Sequence, residues 1–516
     1  QIAEYVRLAQ ENGIHGGFQR DRDGYFRRKY DLIANTTTFE LSDNLLIKNI
    51  FGFQRARLDI SNSVDGVGPL FSPEIGAPLV LLQGAFELNR EFISNEFQIQ
   101  GSTEDGKLEF VAGGFYNHDT TYGPQGTHYN IFDFTADAVR SLDSQHIKNT
   151  NKAVFAQITL DLGDMIAPGL KFNAGYRHSW DKVNSCSASS SERYFTFKEC
   201  EVLAAANLPD GAGTASAKGN APSYMVGLDY QVSPNVFVYA AHRHGYRGVG
   251  INQPVFESPF TTGGPGCTDP LTGGPMVCAD LRPYQLTGKE TVDDFEVGIK
   301  TDFEASGVRG RVNVAVYQAN YGNILLTLNS FPLGLPNSAP DKPSQTALGV
   351  NAGDIRVRGV ELETQLQFTD SFSILYNGSL VNQKVTKLTI PPIGNLTFQK
   401  NQVSLPTPKY SGTTTLRWKL PLGVERPVTV SADWYHTSRF SSSAAGDRYL
   451  PAYDTVNARV DWADIGGSGL SAGLWVRNLL KEDYFSAATV LVAAFPVDSA
   501  VPGMPRMYGL DLRFKW

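Results

Sequence analysis

Hydrophobic and polar residues alternate along much of this chain. In Phe295-Glu296-Val297-Gly298-Ile299-Lys300-Thr301-Asp302-Phe303 the apolar side chains fall on odd numbers. In Leu170-Lys171-Phe172-Asn173-Ala174-Gly175-Tyr176-Arg177 they fall on even numbers, and Val456–Trp462 repeats the pattern. The last ten residues, Met507–Trp516, put Tyr508, Leu510, Leu512, Phe514 and Trp516 on one face. Gly509, Asp511, Arg513 and Lys515 take the other. A period of two is that of a strand with one apolar and one polar face. One such strand would suit any half-buried soluble sheet; recurrence along the whole chain asks for a larger explanation. Many strands repeat the alternation, while Leu45–Phe53 is less regular.

From Tyr30 onward the strands come in pairs. Tyr30–Leu41 turns into Leu45–Ser61, Phe92–Thr103 into Leu108–Thr120, and Asn151–Leu162 into Leu170–Val183. Ser223–Val232 turns into Val236–Asn252, Thr291–Phe303 into Val308–Leu328, and Ile355–Phe368 into Phe372–Lys387. Tyr410–Leu420 with Val428–Ser441, then Tyr453–Trp462 with Leu470–Phe485, precede the terminal strand. The pattern predicts about seventeen strands. Turns within a pair are short. Connections between pairs, such as Asp65–Asn89, Tyr122–Thr150, Asn184–Ala221, Gln253–Glu290 and Asn329–Asp354, are long and rich in Gly, Ser, Pro and aromatics. Such alternation is the signature of an all-β transmembrane antiparallel barrel with short periplasmic turns and long extracellular loops. A propeller would show a constant period, and none is present.

Composition fits this fold. In 516 residues there are 50 Gly, 11% aromatics and 19% charged residues, with a mean hydropathy of -0.22. No stretch approaches the ~18 apolar residues of a spanning helix. A barrel needs none, because only alternate residues meet lipid. The net charge of -7 and the lack of a long basic run give nucleic-acid binding no support. Trp180, Tyr321, Trp434, Trp462 and Trp516 are candidates for interfacial girdles.

Residues 1–29 differ, with a short amphipathic stretch at Ile2–Gln10 and a polar, Gly-rich remainder. They are expected to be a partly helical extracellular loop segment ahead of a barrel domain at 30–516. The four cysteines fall in two local pairs, Cys186 with Cys200 and Cys267 with Cys278, each within one loop-like stretch. Lacking CxxC spacing, they read as two disulfides in an oxidising compartment rather than a metal site. His242 and His244 share a strand face, and His118, His128 and His146 flank one connection. Either set could touch a metal or ligand, or simply be polar rim. Neither matches a standard metal site, and no catalytic set or cofactor motif is present, so an enzyme is not expected.

Several segments together resemble one family, the TonB-dependent outer-membrane receptors. Asn478-Leu479-Leu480-Lys481-Glu482-Asp483-Tyr484 is similar to a segment near the end of those barrels. Lys289–Lys300 resembles their P-E-x-x-x-x-[YF]-E-[VL]-G-[LIF]-K segment, with Lys289 where Pro is usual. Gly245–Asn252 and Arg358–Glu363 resemble two further strands, and Met507–Trp516 the terminal strand read by the barrel-assembly machinery. The resemblance implies a barrel of about 22 strands filled by a plug. No plug, no Gly-rich plug motif and no TonB box is visible here. An odd strand count also departs from bacterial barrels of this type, which are even. The expectation is a C-terminal portion that lacks the plug and the first barrel strands.

The resemblance also implies an activity: uptake across the Gram-negative outer membrane of a scarce, bulky solute, a ferric siderophore foremost. Transport would be driven by the TonB complex acting through a plug. A passive porin-like channel or an oligosaccharide or other nutrient barrel is the alternative, and a soluble all-β binding protein the third reading. Outer-membrane lipid and the assembly machinery are the other expected partners. A chelated iron needs only aromatic and charged contacts. The candidates are Tyr122, Tyr129, Phe132, Phe134, Arg243, Tyr246, Arg247, Phe256, Phe260 and Tyr284, although these aromatics could equally pack the loops together. Arg177, Asp229, Glu296, Lys300, Glu361, Glu363, Arg459, Asp511 and Arg513 are expected to face the lumen and to bridge one another or a plug.

Overall fold

A computed structural model describes residues 24–63, 70–72, 77–133, 142–206, 212–253, 282–329, 347–389, 405–422, 428–442, 449–490 and 498–515, with four residues between 7 and 14. Its main feature is a 19-stranded sheet. Setting aside the short strands Leu70–Ser72 and Gly126–Asp133, seventeen strands follow chain order. They are β1 (Tyr25–Ser42), β2 (Leu45–Ser63), β3 (Ala77–Ser102), β4 (Leu108–Thr121), β5 (Leu142–Asp161) and β6 (Leu170–Ser190). Then come β7 (Gly213–Ser233), β8 (Val236–Arg247), β9 (Glu290–Ala305), β10 (Val308–Asn329), β11 (Ala347–Thr369) and β12 (Phe372–Leu388). The series ends with β13 (Tyr410–Leu420), β14 (Val428–Thr437), β15 (Tyr453–Trp462), β16 (Leu470–Arg477) and β17 (Met507–Phe514). Each pairs antiparallel with the next. Among the described residues, β1 pairs only with β2 and β17 only with β16.

Directly opposed residues share a face, so the register draws rows around the wall. One row reads Leu108, Leu160, Phe172, Leu228, Ala240, Val297, Val316, Val360, Leu380 and Tyr410. Ten strands contribute an apolar residue or a tyrosine, and many of these side chains are exposed, Val297 to 62%. An exposed apolar band on this scale is the outer surface of a membrane barrel. The opposite face carries many of the ion pairs, although Arg55–Glu91 and Arg57–Glu87 fall on the outer side by register. Arg243 reaches Asp294 at 2.7 Å and Glu296 at 2.6 Å, and Arg459 reaches Asp461 and Asp511, each at 2.7 Å. Asp229 accepts from Asn173 at 2.7 Å and Glu363 from Asn313 at 3.2 Å.

Two motif glycines have a packing reason. On the inner face a Cβ at Gly298 or Gly359 would lie 2.3 Å from the ring of Tyr239 or Tyr317, respectively. Each glycine is the seat for a tyrosine of the neighbouring strand, as aromatic rings cover glycines in barrels. Asn478 explains a third motif. It stands at φ 49°, accepts the Glu482 N–H at 2.8 Å, and donates to the carbonyls of Glu482 and Met504 at 2.8 and 3.0 Å. Asn tolerates this left-handed conformation better than most residues. Tyr484 stacks on Tyr453 with ring centroids 4.3 Å apart, closing the same corner.

Several strands are longer than the alternation predicts, while β8, β14 and β16 stop short of the expected Asn252, Ser441 and Phe485, at Arg247, Thr437 and Arg477. β1 begins at Tyr25 rather than Tyr30, β3 at Ala77 rather than Phe92, and β5 at Leu142 rather than Asn151; β6 and β7 run on to Ser190 and back to Gly213. Above the band both faces are polar or covered by other chain, so the alternation disappears while the hydrogen-bonded ladder continues. Trp180, Trp434 and Trp462 are exposed on the outer face as girdle residues would be. Tyr321 instead packs against a small core of Ile324, Leu326, Ala352 and Ile355, where a bulge turns the top of β10. Trp516 lies outside the described residues.

A helix, α1 (Phe197–Ala205), packs over the upper ends of β6 and β7 and reaches β5 through Phe197. Thr196 and Glu199 close a capping box at its start. Cys186 and Cys200 are joined by a disulfide, with Ala188, Phe195, Phe197 and Leu203 around it. The Cys267–Cys278 pairing lies outside the described residues, as does most of 1–29.

Candidate functional site

The polar inner wall is most elaborate at the long-loop end of β4 to β8. The pairing of β8 with β7 stops at His244 opposite Tyr224. Beyond it the chain crosses the inner side of the β6–β7 hairpin. Val249 rests over Gly219, where a Cβ would come within 3.0 Å, and Gly248 lies against Asp181. The hairpin and the crossing segment enclose one side of a cavity of about 390 Å³, lined among others by Asn117, Asp119, Asn149, Asn151, Asp181 and Arg247.

Asp181 anchors the wall. It accepts from Asn151 Nδ2 at 2.6 Å and from the Tyr246 hydroxyl at 2.7 Å. Arg177 stands beside it, donating to Ser179 Oγ at 3.1 Å with its guanidinium 4.9 Å from the Phe115 ring centroid. Asp119 is held by Arg90, and Glu290 sits 3.5 Å from Arg247. The surface therefore offers amides, carboxylates, a phenol and guanidiniums. That mixture suits an oxygen-rich, multiply hydrogen-bonding solute.

The sequence-derived candidates divide into four groups. Arg247 lines this cavity, and Tyr246 adjoins it by holding Asp181 of its wall. Arg243 lies lower on the same strand, engaged by Asp294 and Glu296. Tyr122 and Tyr284 are elsewhere: Tyr122 lies under the Arg55 guanidinium at 4.7 Å, and the Tyr284 carbonyl accepts from Asn252 at 2.6 Å. Phe134, Phe256 and Phe260, and the side chains of Tyr129 and Phe132, lie outside the described residues. The residues missed are Asn117, Asn149, Asn151 and Asp181. Their signal is present in the polar i, i+2 spacing of Asn149 and Asn151, but Asn149 falls in a stretch that reads as loop, and Asn117, Asn151 and Asp181 fall in strands read only for their alternation.

The histidines do not converge. His242 stacks on Phe295 at 4.3 Å, while His244 pairs with Asp293 at 2.8 Å and stacks on Tyr224. His118 meets Thr150, and His128 meets the Tyr194 hydroxyl, both at 3.0 Å. His146 is fully buried beneath α1. Its Nε2 lies 2.9 Å from the Phe195 carbonyl and must donate, so Nδ1 accepts from Thr121 Oγ1 at 2.8 Å. Burial pushes its pKa below the ordinary 6.5. At the start of α1, Arg193 and the backbone and hydroxyl of Thr196 hold the Glu199 carboxyl down at about 2.

Comparison with known proteins agrees with this architecture. The family model for the TonB-dependent receptor-like β-barrel matches residues 5–479. Among solved structures, the ferric yersiniabactin uptake receptor FyuA of Yersinia pestis superposes with a TM-score of 0.66 at 14% identity, over 96% of this chain and 62% of its own. The siderophore receptor PiuA of Acinetobacter baumannii gives 0.64 at 17%, over 96% and 66%. The ferric-catecholate import receptor Fiu of E. coli K12 gives 0.64 at 15%, over 97% and 65%. At such identities the likeness is one of fold. The chain spans a little under two thirds of the length of these three relatives.

Proposed function

Because the chain belongs to the TonB-dependent receptor-like β-barrel family, we propose that it forms most of the wall of an outer-membrane receptor that takes up a bulky solute by TonB-coupled transport. A ferric siderophore is the solute class favoured. The observation that carries this reading is the inner cavity beside Tyr246, Arg247, Asp181, Asn151 and Asn117. Its donors and acceptors match the hydroxamate, catecholate or carboxylate oxygens of a chelate whose iron is already coordinated. The relatives named as siderophore receptors support the same class. The family is one of receptors, so catalysis has no part in it.

In this reading the short turns face the periplasm, the long connections face outside, and Met507–Trp516 carries the signal for the barrel-assembly machinery. A plug and further strands supplied by the rest of the gene product would couple solute release to TonB. The lumen carboxylates Glu361 and Asp511 would dock that plug. The residues ahead of Tyr25 would belong to an outer loop, and the chain from β1 onward to the barrel domain.

The test is uptake of radioiron chelates by cells carrying or lacking the full-length gene, with and without TonB. Uptake that needs both is expected. Uptake that persists without TonB would replace this reading with a passive channel. Uptake of an oligosaccharide in place of iron chelates would change the solute class and leave the mechanism standing.

A further inference from the structure

We infer that the outer face of β5, β6 and β7, just above the apolar band, binds the phosphates of a lipid headgroup in the outer leaflet. This inference rests on the outer-membrane reading above. It concerns the outside of the wall, away from the lumen where the solute would pass.

The register sets nine outward side chains in a three-by-three grid. On β5 stand Lys148, Thr150 and Lys152; opposite them on β6 stand Asn184, Lys182 and Trp180; and opposite those on β7 stand Ser216, Lys218 and Asn220. Four of the nine are lysines and none is a carboxylate. The row above is His146, Cys186 and Thr214, and the row below is Val154, His178 and Pro222. Neither adds an acid. Lys182 and Lys218 are directly opposite one another, an arrangement that is destabilising when left alone. Lys152, Lys182 and Lys218 are exposed.

Elsewhere on the wall several basic groups are matched, Arg55 by Glu91 and Arg57 by Glu87 on the outer face among them. Arg243 and Arg459 each have two carboxylates. On the grid the lysines have no acidic partner among the described residues. Asp181, next in sequence to Lys182, points to the inner side and is taken by Asn151 and Tyr246. Glu199 of the overlying α1 is taken by Arg193 at 2.8 Å. Lys148 lies 4.8 Å from the centroid of the Phe197 ring, tucked under α1. Ser216 donates to Asn184 at 3.0 Å, leaving further amide and hydroxyl groups around the lysines.

Height completes the argument. At ~3.3 Å per residue and a tilt of about 40°, Lys182 stands about 30 Å above the turn that begins β6, at the upper edge of a ~25 Å apolar band. Trp180 beside it is 46% exposed, as an interfacial tryptophan would be. Amines clustered at headgroup level beside an interfacial ring fit an anionic lipid. Phosphate is the group that can bridge several of them.

The experiment uses full-length protein extracted from outer membranes in mild detergent. The phosphorylated glycolipid retained per molecule is measured by native mass spectrometry. Each lysine near an anionic surface is worth about fivefold in binding. The triple variant K152Q/K182Q/K218Q should therefore retain at least about tenfold less lipid, while K152R/K182R/K218R retains it. Heat-modifiable gel mobility reports that both still fold. A control at Lys300→Gln, on the inner face, should change nothing. Purified protein should bind vesicles containing the bisphosphorylated glycolipid and not vesicles of its dephosphorylated form.

Equal retention by the glutamine variant, or equal binding of the dephosphorylated lipid, would overturn the inference while leaving the uptake reading intact. Release of the lipid by millimolar inorganic phosphate would overturn the assignment to a lipid and leave a simple anion site. A protein absent from the outer-membrane fraction would overturn both.

Discussion

Tyr246 and Asp181 stand on β8 and β6, two strands separated by β7, yet the phenol donates to the carboxylate at 2.7 Å. The contact exists because the top of β8 leaves its neighbour and crosses the inner side of the hairpin. It fixes one wall of the cavity. Tyr246→Phe removes one of two donors to a charged acceptor, a loss of about 1.5–3 kcal/mol where the group stays desolvated. We expect the dissociation constant of the transported chelate to rise about tenfold or more, read by fluorescence quenching. The thermal unfolding midpoint in detergent should fall by only a few degrees, because the loss is small against a sheet of this size. An unchanged affinity would remove Tyr246 from the site.

A second prediction concerns Asn478. Its side chain makes three hydrogen bonds around a corner that its own backbone enters at positive φ. Asn478→Ala loses these bonds and strains the turn. At about 1 kcal/mol for each of the three bonds and 1–2 kcal/mol for the left-handed residue, destabilisation of roughly 4–5 kcal/mol follows. Asn478→Gly should recover the backbone share alone. Urea titration of the refolded barrel compares the two.

The loop capped by α1 should loosen in acid. His146 is buried and neutral, with a folded pKa below its ordinary 6.5. The unfolded segment therefore binds the proton more tightly. Its contribution to stability is complete above about pH 6.5 and declines as pH falls towards the folded value. Glu199 acts in the same direction lower down: its contribution is complete above about 4.5 and is lost as pH approaches about 2. Hydrogen exchange at 195–205 should quicken as pH is lowered through 6, after correction for intrinsic rates. His146→Gln should flatten the upper step.

The apolar row makes a depth-dependent prediction. It joins Leu108, just past a short turn, to Tyr410, just after a long connection, so it climbs across the membrane as it passes from strand to strand. Arginine at Val316, in the middle, should cost about 2–4 kcal/mol, and at Leu108 or Tyr410 about 0–1 kcal/mol. Unfolding in lipid vesicles measures the three.

Much of the wall was legible because the lipid boundary writes an alternation into each strand. Val297 and Ile299 face out while Glu296 and Lys300 face in, and no loop reproduces that. Above the band the rule lapses. Ser144 and His146 lie on a strand, but α1 and Phe195 cover them, so buried positions carry polar residues and the segment looks like loop. The site suffered from the same lapse. Tyr246 stood out as an aromatic, but its partner Asp181 is fixed only by where β8 crosses, a relation between distant strands that local pattern does not encode. His242 and His244 share a face, yet each is occupied by a different neighbour.

The seventeen strands are also unequal in height. β10 and β11 are zipped over nineteen register pairs, whereas β15 and β16 share five and β16 and β17 eight. Mechanically the wall is graded, stiff across one arc and thinly stitched across the other. A sideways load reaches its yield point first at the seam of β15 and β16, beside the corner that Asn478 and Tyr484 fasten. Those two residues act as the rivet at the least-stitched joint between consecutive strands of the wall.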